Sequence, residues 1–413
     1  MAVSRTLVGA VIFAVAVAAF SRIPLLPDIG RDLSLTTGEI GLLTTSFGAG
    51  RLVTDLPAGR LSAAVSPSAA LAAAGIGLAA ACALLALSRS MVEALIASAL
   101  IGCASALTNT TGMYAFATAT RADRRGASMA LYTGALMSGQ MAGPALGGAI
   151  GSLGGWRSAL WVAAAIGASV AITCLGWRRR TLAPADEERS PTARAAAAAT
   201  ADDPATGDPP PTRGELIALA AAPFATFFAL AGLTQTLIPV IGDGELGFAP
   251  SEIGLAIALG AAARFATAWG AGVASDRLSR KLVLLPSLLL MALGAGTLAL
   301  PPTTATWLAA IVLIALGSSA ISVAAAALAD RVPRHRLGHE LGVFRLVGDL
   351  GLLLGPAVAA FLYQESGGAL AGSVSAAIFL AAALAVLLWL HDPRRPVTQR
   401  RETLDESAER LVG

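Results

Sequence analysis

The sequence predicts an all-helical membrane protein of twelve transmembrane helices, arranged as two pseudo-symmetric six-helix bundles. Three observations point to this fold class: the composition, the number of long apolar runs and an internal repeat. Of the 413 residues, 55% are hydrophobic and only 13% are charged, and the mean hydropathy is +0.71. Soluble domains carry more charge and less apolar surface than this. The composition therefore places the chain among polytopic membrane proteins.

Apolar runs long enough to cross a bilayer recur along the whole chain. A transmembrane helix needs about 20 apolar residues, and runs of this kind predict six spans in each half. They lie near residues 7–26, 38–61, 67–88, 91–118, 126–152, 157–177, 215–241, 250–274, 281–301, 304–329, 338–364 and 369–391.

Basic residues cluster in the connections that follow even-numbered spans, as at 178–180 and 394–395. Short cytoplasmic loops retain arginine and lysine, whereas translocated loops do not. Both termini are therefore predicted to be cytoplasmic, in a multi-pass protein of the cytoplasmic (inner) membrane.

The two halves of the chain contain copies of one segment, 213 positions apart (39 and 252). The sequence TGEIGL at 37–42 returns as PSEIGL at 250–255, Arg51 returns as Arg264, and Gly59 returns as Gly272. Self-similarity of this kind marks a duplicated membrane protein whose working site lies between the halves.

The domain boundaries follow from changes in composition. Residues 178–213 turn abruptly to arginine, proline, alanine and acidic residues, which cannot bury a core. We predict an N-terminal bundle at 1–177, a disordered cytoplasmic linker at 178–213, a C-terminal bundle at 214–392 and a cytoplasmic tail at 393–413.

Two motifs resemble signatures of the major facilitator superfamily. The first, GVASDRLSRK at 272–281, has a glycine, an Asp-Arg pair and a basic pair, and its key residues are Gly272, Asp276, Arg277 and Arg280. The second, GQMAGPALGG at 139–148, looks like the motif of that superfamily's antiporters, with Gly139, Gly143, Pro144, Gly147 and Gly148. The resemblance covers the whole chain. It implies the superfamily's fold and transport by alternating access, and its antiporter motif implies efflux in exchange for protons.

Each motif has a physical reading of its own. The carboxylate of Asp276 can bind the N-terminus of a neighbouring helix and so act as a gating latch. Alternatively, the charged residues of this motif form a hydrated turn. The glycines of the second motif recur every four residues and make a flat strip for close helix packing. The first-half copy of the latch has lost its charges, because Ala63 and Ala64 occupy the positions of Asp276 and Arg277.

Charged residues inside the predicted spans are costly and are candidates for function. Arg51 and Asp55 lie one helical turn apart in the second span, and Arg345 and Asp349 lie one turn apart in the eleventh. The resemblance implies that these two helices meet between the bundles, so Arg51 can face Asp349 while Asp55 faces Arg345. Alternatively, each pair neutralises itself within its own helix. Asp349 is the deepest carboxylate and the first candidate for carrying a coupling proton, with Asp55 second.

The substrate path holds few polar side chains. Arg264 has no acidic residue one turn away and could bind a substrate carboxylate, or it could be a structural tie to Gln140. The resemblance implies that spans one, four, seven and ten line the path, which makes Asn109, Tyr114 and Gln235 further candidates for substrate contact. Gln140, in the fifth span expected to lie next to Arg264, is a candidate for substrate contact as well. Polar side chains of this kind more often form hydrogen bonds between helices than contacts with a ligand.

Other function classes find no support in the motifs. The sequence contains no metal-ligand cluster, nucleotide-binding loop or nucleophile with a base, so we expect neither an enzyme nor a cofactor. The expected partners are the lipid bilayer, protons and a small-molecule substrate, without nucleic acid, and the chain is expected to act as a monomer. The function expected first is proton-coupled export of a small organic compound. The alternatives are proton-linked uptake of an organic anion and a membrane sensor on a transporter fold.

Overall fold

A computed structural model describes residues 5–118, 125–181, 212–318, 321–332 and 334–391. Regular secondary structure in these residues is helical throughout. The predicted linker and tail lie almost wholly outside the described residues, as does the side chain of Asp276.

Six helices form the first half. They are α1 (Arg5–Phe20, continued by a 3-10 turn at Ile23–Leu25 and a short helix at Leu26–Asp32), α2 (Thr37–Ala64), α3 (Pro67–Leu87), α4 (Met91–Thr118), and the pair α5 (125–154) and α6 (156–181). The last two form one helical segment, Arg125–Thr181, that is kinked at Gly155, where φ is 78°.

Six more helices form the second half. They are α7 (Arg213–Phe228, a π-helix at Ala229–Leu237, and Ile238–Gly244), α8 (Pro250–Arg277), α9 (Arg280–Thr297), α10 (Thr304–Ser318 and Ile321–Ala329), and the pair α11 (334–365) and α12 (368–389). The last two lie in one segment, Arg334–Trp389, that breaks at Ser366 and Gly367.

The predicted count of twelve spans is confirmed. Nine helical segments within the described residues are long and apolar enough to cross a membrane, and the two kinked segments contain two spans each. The remaining span is α2, whose charged residues include Glu39, Arg51 and Asp55.

The repeated residues make the same contact at the start of α2 and at the start of α8. Glu39 accepts a hydrogen bond from the Thr36 backbone N–H at 2.7 Å, and Glu252 accepts one from the Ala249 N–H at 2.8 Å. A glutamate at the third helical position satisfies an amide that the helix leaves free. The two copies therefore begin equivalent helices in the same way.

Each half buries its own apolar core. One cluster of buried side chains draws mainly on α1 to α6 and includes Phe47, Leu71 and Phe116, whereas the other draws mainly on α7 to α12 and includes Phe228, Met291 and Phe379. Ile23 and Val240 each belong to the cluster of the opposite half.

The bundles meet along two seams, α2 against α11 and α5 against α8. We call the end of the molecule that carries the connections 33–36 and 245–249 the closed end. There the Gly38 N–H donates to Gln364 Oε1 at 2.8 Å, and the Ser251 N–H donates to Ser152 Oγ at 3.0 Å. Arg31 also forms ion pairs with Asp28 and, across the bundles, with Asp243. These contacts shut this end of the path between the bundles.

Candidate functional site

A cavity of about 890 Å³, open solvent at its mouth included, lies between the two bundles. Its lining comes from α1, α2 and α5 of the first bundle and from α7, α8, α10 and α11 of the second. The apolar part of the wall includes Phe20, Phe47 and Phe227. The polar part consists of Arg51, Gln140, Thr234, Gln235, Arg264 and Asp349. A largely apolar pocket with a few polar groups is typical of a small-molecule site.

One of the two predicted charge contacts between α2 and α11 is present. Arg345 Nη2 donates to Asp55 Oδ2 at 3.2 Å and joins the two bundles. Thr110 Oγ1 donates to the other carboxylate oxygen of Asp55, also at 3.2 Å. Arg51 and Asp55 lie one turn apart in α2, as do Arg345 and Asp349 in α11. Within the described residues, neither of these two local pairs forms an ion pair. The seam therefore uses the cross-bundle arrangement for this pair.

The second predicted contact is not formed as an ion pair between the described side chains. Arg51 Nη1 donates instead to Ser105 Oγ of α4 at 3.1 Å. Asp349 is only 7% exposed, and in the part of the chain that the structure describes it has no hydrogen-bond or ion-pair partner. It lies within electrostatic range of Arg51, Asp55 and Arg345. Asp349 is thus a buried carboxylate beside the cavity with arginines near it but none of them bonded to it.

Arg264 projects into the same cavity from α8. Its Nη2 donates to Gln140 Oε1 of α5 at 2.9 Å, which joins the bundles on the second seam. Its Nε is buried and has no acceptor within the described ranges. The predicted tie to Gln140 is therefore present, and one N–H of the guanidinium remains unsatisfied.

The other substrate-contact candidates separate into two groups. Gln235 of α7 lines the cavity, whereas Asn109 and Tyr114 of α4 are not among its described lining residues. The backbone carbonyl of Asn109 accepts a hydrogen bond from Tyr132 Oη at 3.2 Å, and Tyr114 is 39% exposed. Of the four helices expected to line the path, α1, α7 and α10 contribute to the described lining and α4 does not, whereas α2, α5, α8 and α11 contribute in addition.

The loop motif lies at the end of the molecule where α1 begins and α12 ends. Arg280 Nε donates to Asp330 Oδ2 at 3.1 Å, and its Nη1 donates to Ser275 Oγ at 2.6 Å. These partners belong to the second bundle, whereas Arg277 is exposed. Gly272 has open space where a Cβ would be.

The fifth-span motif packs on both of its sides. Gly139, Gly143 and Gly147 contact backbone carbonyls of α1, and a Cβ at Gly147 would lie 1.9 Å from the Ser21 carbonyl oxygen. Gly148 faces the other bundle, where a Cβ would lie 2.2 Å from the Pro250 carbonyl oxygen, and the Pro144 carbonyl contacts Gly254. The motif thus lets α5 approach α1 and α8 at once.

Comparison with known proteins identifies the family. The model of the Major Facilitator Superfamily matches residues 8–244 and 219–410. The chain belongs to the Major Facilitator Superfamily. Its relatives include a "Chloramphenicol resistance protein" of Streptomyces lividans, 28% identical over 279 residues. That match covers 66% of each chain, just under two thirds of the relative's length.

Solved structures of other superfamily transporters share the fold. A bacterial homolog of the human lysosomal transporter Spinster, in an inward-facing and occupied conformation, has a TM-score of 0.73 at 15% identity, covering 93% of this chain and 95% of that one. A point mutant of the nucleoside transporter NupG has a TM-score of 0.70 at 14% identity, covering 94% of this chain and 100% of that one. At such identities the likeness concerns the fold, which is that of transporters. A membrane transporter implies a lipid bilayer around it and a small-molecule substrate.

Two features of this superfamily member were missed in the sequence. Arg22, just after the first helical stretch of α1, is 1% exposed, and its guanidinium lies 4.6 Å from the centre of the Phe47 ring, whereas Nε and Nη1 have no hydrogen-bond acceptor among the described residues. The sequence could have indicated Arg22, because it is a charged residue inside a predicted span, and the position 213 residues later holds the polar Gln235.

The second feature is the π-helix of α7, which carries the cavity residues Leu230, Thr234 and Gln235. π-Helical segments are frequent at functional sites, but no pattern in the sequence signalled this one.

Proposed function

We propose that the chain exports a small organic compound across the cytoplasmic membrane in exchange for protons, by alternating access of the cavity between the bundles. The proposal rests first on Asp349, a carboxylate that is buried beside the cavity and has no bonded partner in the described ranges. A carboxylate in this position is neutral when it carries a proton and attracts Arg51 and Arg345 when it does not. Loss and gain of one proton would thus change the forces between α2 and α11.

The alternating step has a physical basis in the seams. The contacts at the closed end hold one face of the path shut, and under the predicted topology this face is the outer one. Asp55 and Arg345 form their ion pair across the same seam, so a change in the charge of Asp349 is felt at a contact between the bundles. The chain can perform this cycle as a monomer, because both bundles belong to one polypeptide.

Export is the direction that the named relative favours. The printed name of the relative from Streptomyces lividans is "Chloramphenicol resistance protein", and removal of a toxic compound from the cell is one route to resistance. The glycine motif of α5, with its close contacts to α1 and α8, is consistent with the antiporter assignment.

The experiment is proton movement in inside-out membrane vesicles prepared with and without the protein. A pH gradient is imposed, and uncharged amphipathic compounds, lipophilic cations and organic acids are added in turn. Collapse of the gradient by one class, only in vesicles that contain the protein, supports proton-coupled export. A gradient that no compound discharges, together with faster entry of organic acids into intact cells, contradicts export.

Proton-linked uptake of an organic anion is the second candidate. The observation that favours it is the buried Nε of Arg264, which has no acceptor in the part of the chain that the structure describes. A substrate carboxylate would satisfy it, and a proton on Asp349 would lower the repulsion between that residue and the bound anion.

A further inference from the structure

Arg51 and Arg264 occupy equivalent positions in the two copies of the repeat, and both line the same cavity. Arg51 approaches from α2 of the first bundle, whereas Arg264 approaches from α8 of the second. Duplication has therefore placed one guanidinium on each side of the path.

Within the described residues, neither arginine is neutralised by a bonded carboxylate. Arg51 donates to the Ser105 hydroxyl at 3.1 Å, and Arg264 donates to the Gln140 amide oxygen at 2.9 Å. Both acceptors are uncharged. Placing a charged group at membrane depth costs free energy unless an opposite charge pairs with it. The side chains bonded to these two arginines carry no negative charge, so a bound anion would stabilise both.

The charge of the cavity wall follows from its described members. Two guanidinium groups face one carboxylate, Asp349, so the wall carries net positive charge whether or not Asp349 is protonated. A cationic compound would meet repulsion in this space, whereas an acceptor group would meet N–H donors on both sides.

We propose that Arg51 and Arg264 form a two-arginine site that binds acceptor oxygens of the substrate, with a carboxylate as the best match, and that excludes cations. A guanidinium presents parallel N–H groups that fit a pair of coplanar oxygens. The apolar body of the substrate lies against Phe20, Phe47 and Phe227, which line the same cavity. The inference rests on the proposed transport through this cavity, but it holds for export and for uptake.

The test is binding to the purified full-length chain in detergent, measured by isothermal titration calorimetry. Three probes share one phenyl body: 3-phenylpropionate, its uncharged methyl ester and 3-phenylpropylamine. The expected order is acid first, ester second and no binding of the amine. Replacing either arginine by glutamine (R51Q or R264Q) should weaken binding of the acid by about tenfold or more, the usual effect of losing a charge-assisted hydrogen bond. R264K should keep part of the affinity, since it retains the charge but loses the paired donors.

The matched control is R89Q, the same substitution at an exposed arginine outside the cavity, which should bind the acid as the unaltered chain does. Thermal unfolding of each variant without ligand identifies any that fail to fold. An amine that binds as tightly as the acid, an acid that does not bind, or unchanged affinity in both glutamine variants contradicts the two-arginine site. Because binding in detergent needs no gradient, a chain that shows the expected order but moves no protons in vesicles would refute proton coupling alone.

Discussion

The ion pair between Arg31 and Asp243 predicts how the closed end is held. Arg31 lies in the short helix that continues α1 in the first bundle, and it bonds Asp28 of its own half as well as Asp243 of the second bundle. When the closed end opens, the bundles separate there and only the contact with Asp28 can persist. Replacing Asp243 by asparagine should therefore destabilise the closed form relative to the form that is open at this end.

The expected magnitude follows from exposure. The Arg31 side chain is 60% exposed and that of Asp243 is 17% exposed, so solvent screens the pair. Ion pairs of this kind contribute roughly 0.2–1 kcal/mol. In a two-state equilibrium, this energy corresponds to a shift of roughly 1.4-fold to 5-fold toward the open form.

The assay is the labelling rate of a cysteine placed in the cavity at Thr234, after Cys82, Cys103 and Cys174 have been replaced. A membrane-impermeant maleimide is added on the closed-end side. Labelling should be roughly 1.4 to 5 times faster in D243N, since the rate follows the population that is open to that side.

The control is Asp32→Asn, which removes an ion pair at the same end but within the first bundle, between Asp32 and Arg157. Its labelling rate should not change. If D32N accelerates labelling as much as D243N does, or if D243N has no effect, the ion pair to Asp243 is not what holds this end closed.

Two further predictions concern packing and charge. Gly147→Ala should lower the stability of the fold by about 1–3 kcal/mol in thermal unfolding, because its Cβ would meet the Ser21 carbonyl oxygen, whereas Gly134→Ala, which has open space, should be neutral. A double-mutant cycle of Asp55→Asn with Arg345→Gln, measured by thermal unfolding, should give a coupling free energy of about 0.2–1 kcal/mol, because the Arg345 side chain is 47% exposed. Equal stability of the two glycine variants would contradict the first, and independent effects of the two charge changes would contradict the second.

The helices and the repeat could be predicted because they depend on local pattern. Apolar runs of membrane length leave little choice of structure, and Glu39 and Glu252 begin equivalent helices through the same backbone contact. The pattern also separates α5 from α6 by a short gap between two predicted spans, and the structure makes this gap a kink at Gly155 within one segment.

The partners of the buried charges could be predicted only as alternatives. Spacing along α2 and α11 allows both local and cross-bundle pairs, and the choice depends on how the helices are rotated against each other. The structure pairs Asp55 with Arg345 but leaves Asp349 without a bonded partner among the residues it describes. Ser105, which accepts from Arg51, lies in a different helix and could not be assigned from the sequence.

The wall of the cavity was hardest to derive, because it depends on where two bundles separate. The resemblance points to spans one, four, seven and ten, whereas the lining residues come largely from the seam helices α2, α5, α8 and α11 together with α7. No apolar period distinguishes a helix face that touches the partner bundle from one that touches the cavity.

Proton exchange is tested most directly by substrate-dependent proton movement by the purified chain in proteoliposomes, compared between the unaltered protein and Asp349→Asn. A transported compound should drive proton flux with the unaltered protein. Asp349→Asn should still bind the compound, because the arginines that hold it remain, but it should drive no proton flux. Proton flux at an unchanged rate in Asp349→Asn would contradict the assignment of Asp349 as the proton carrier.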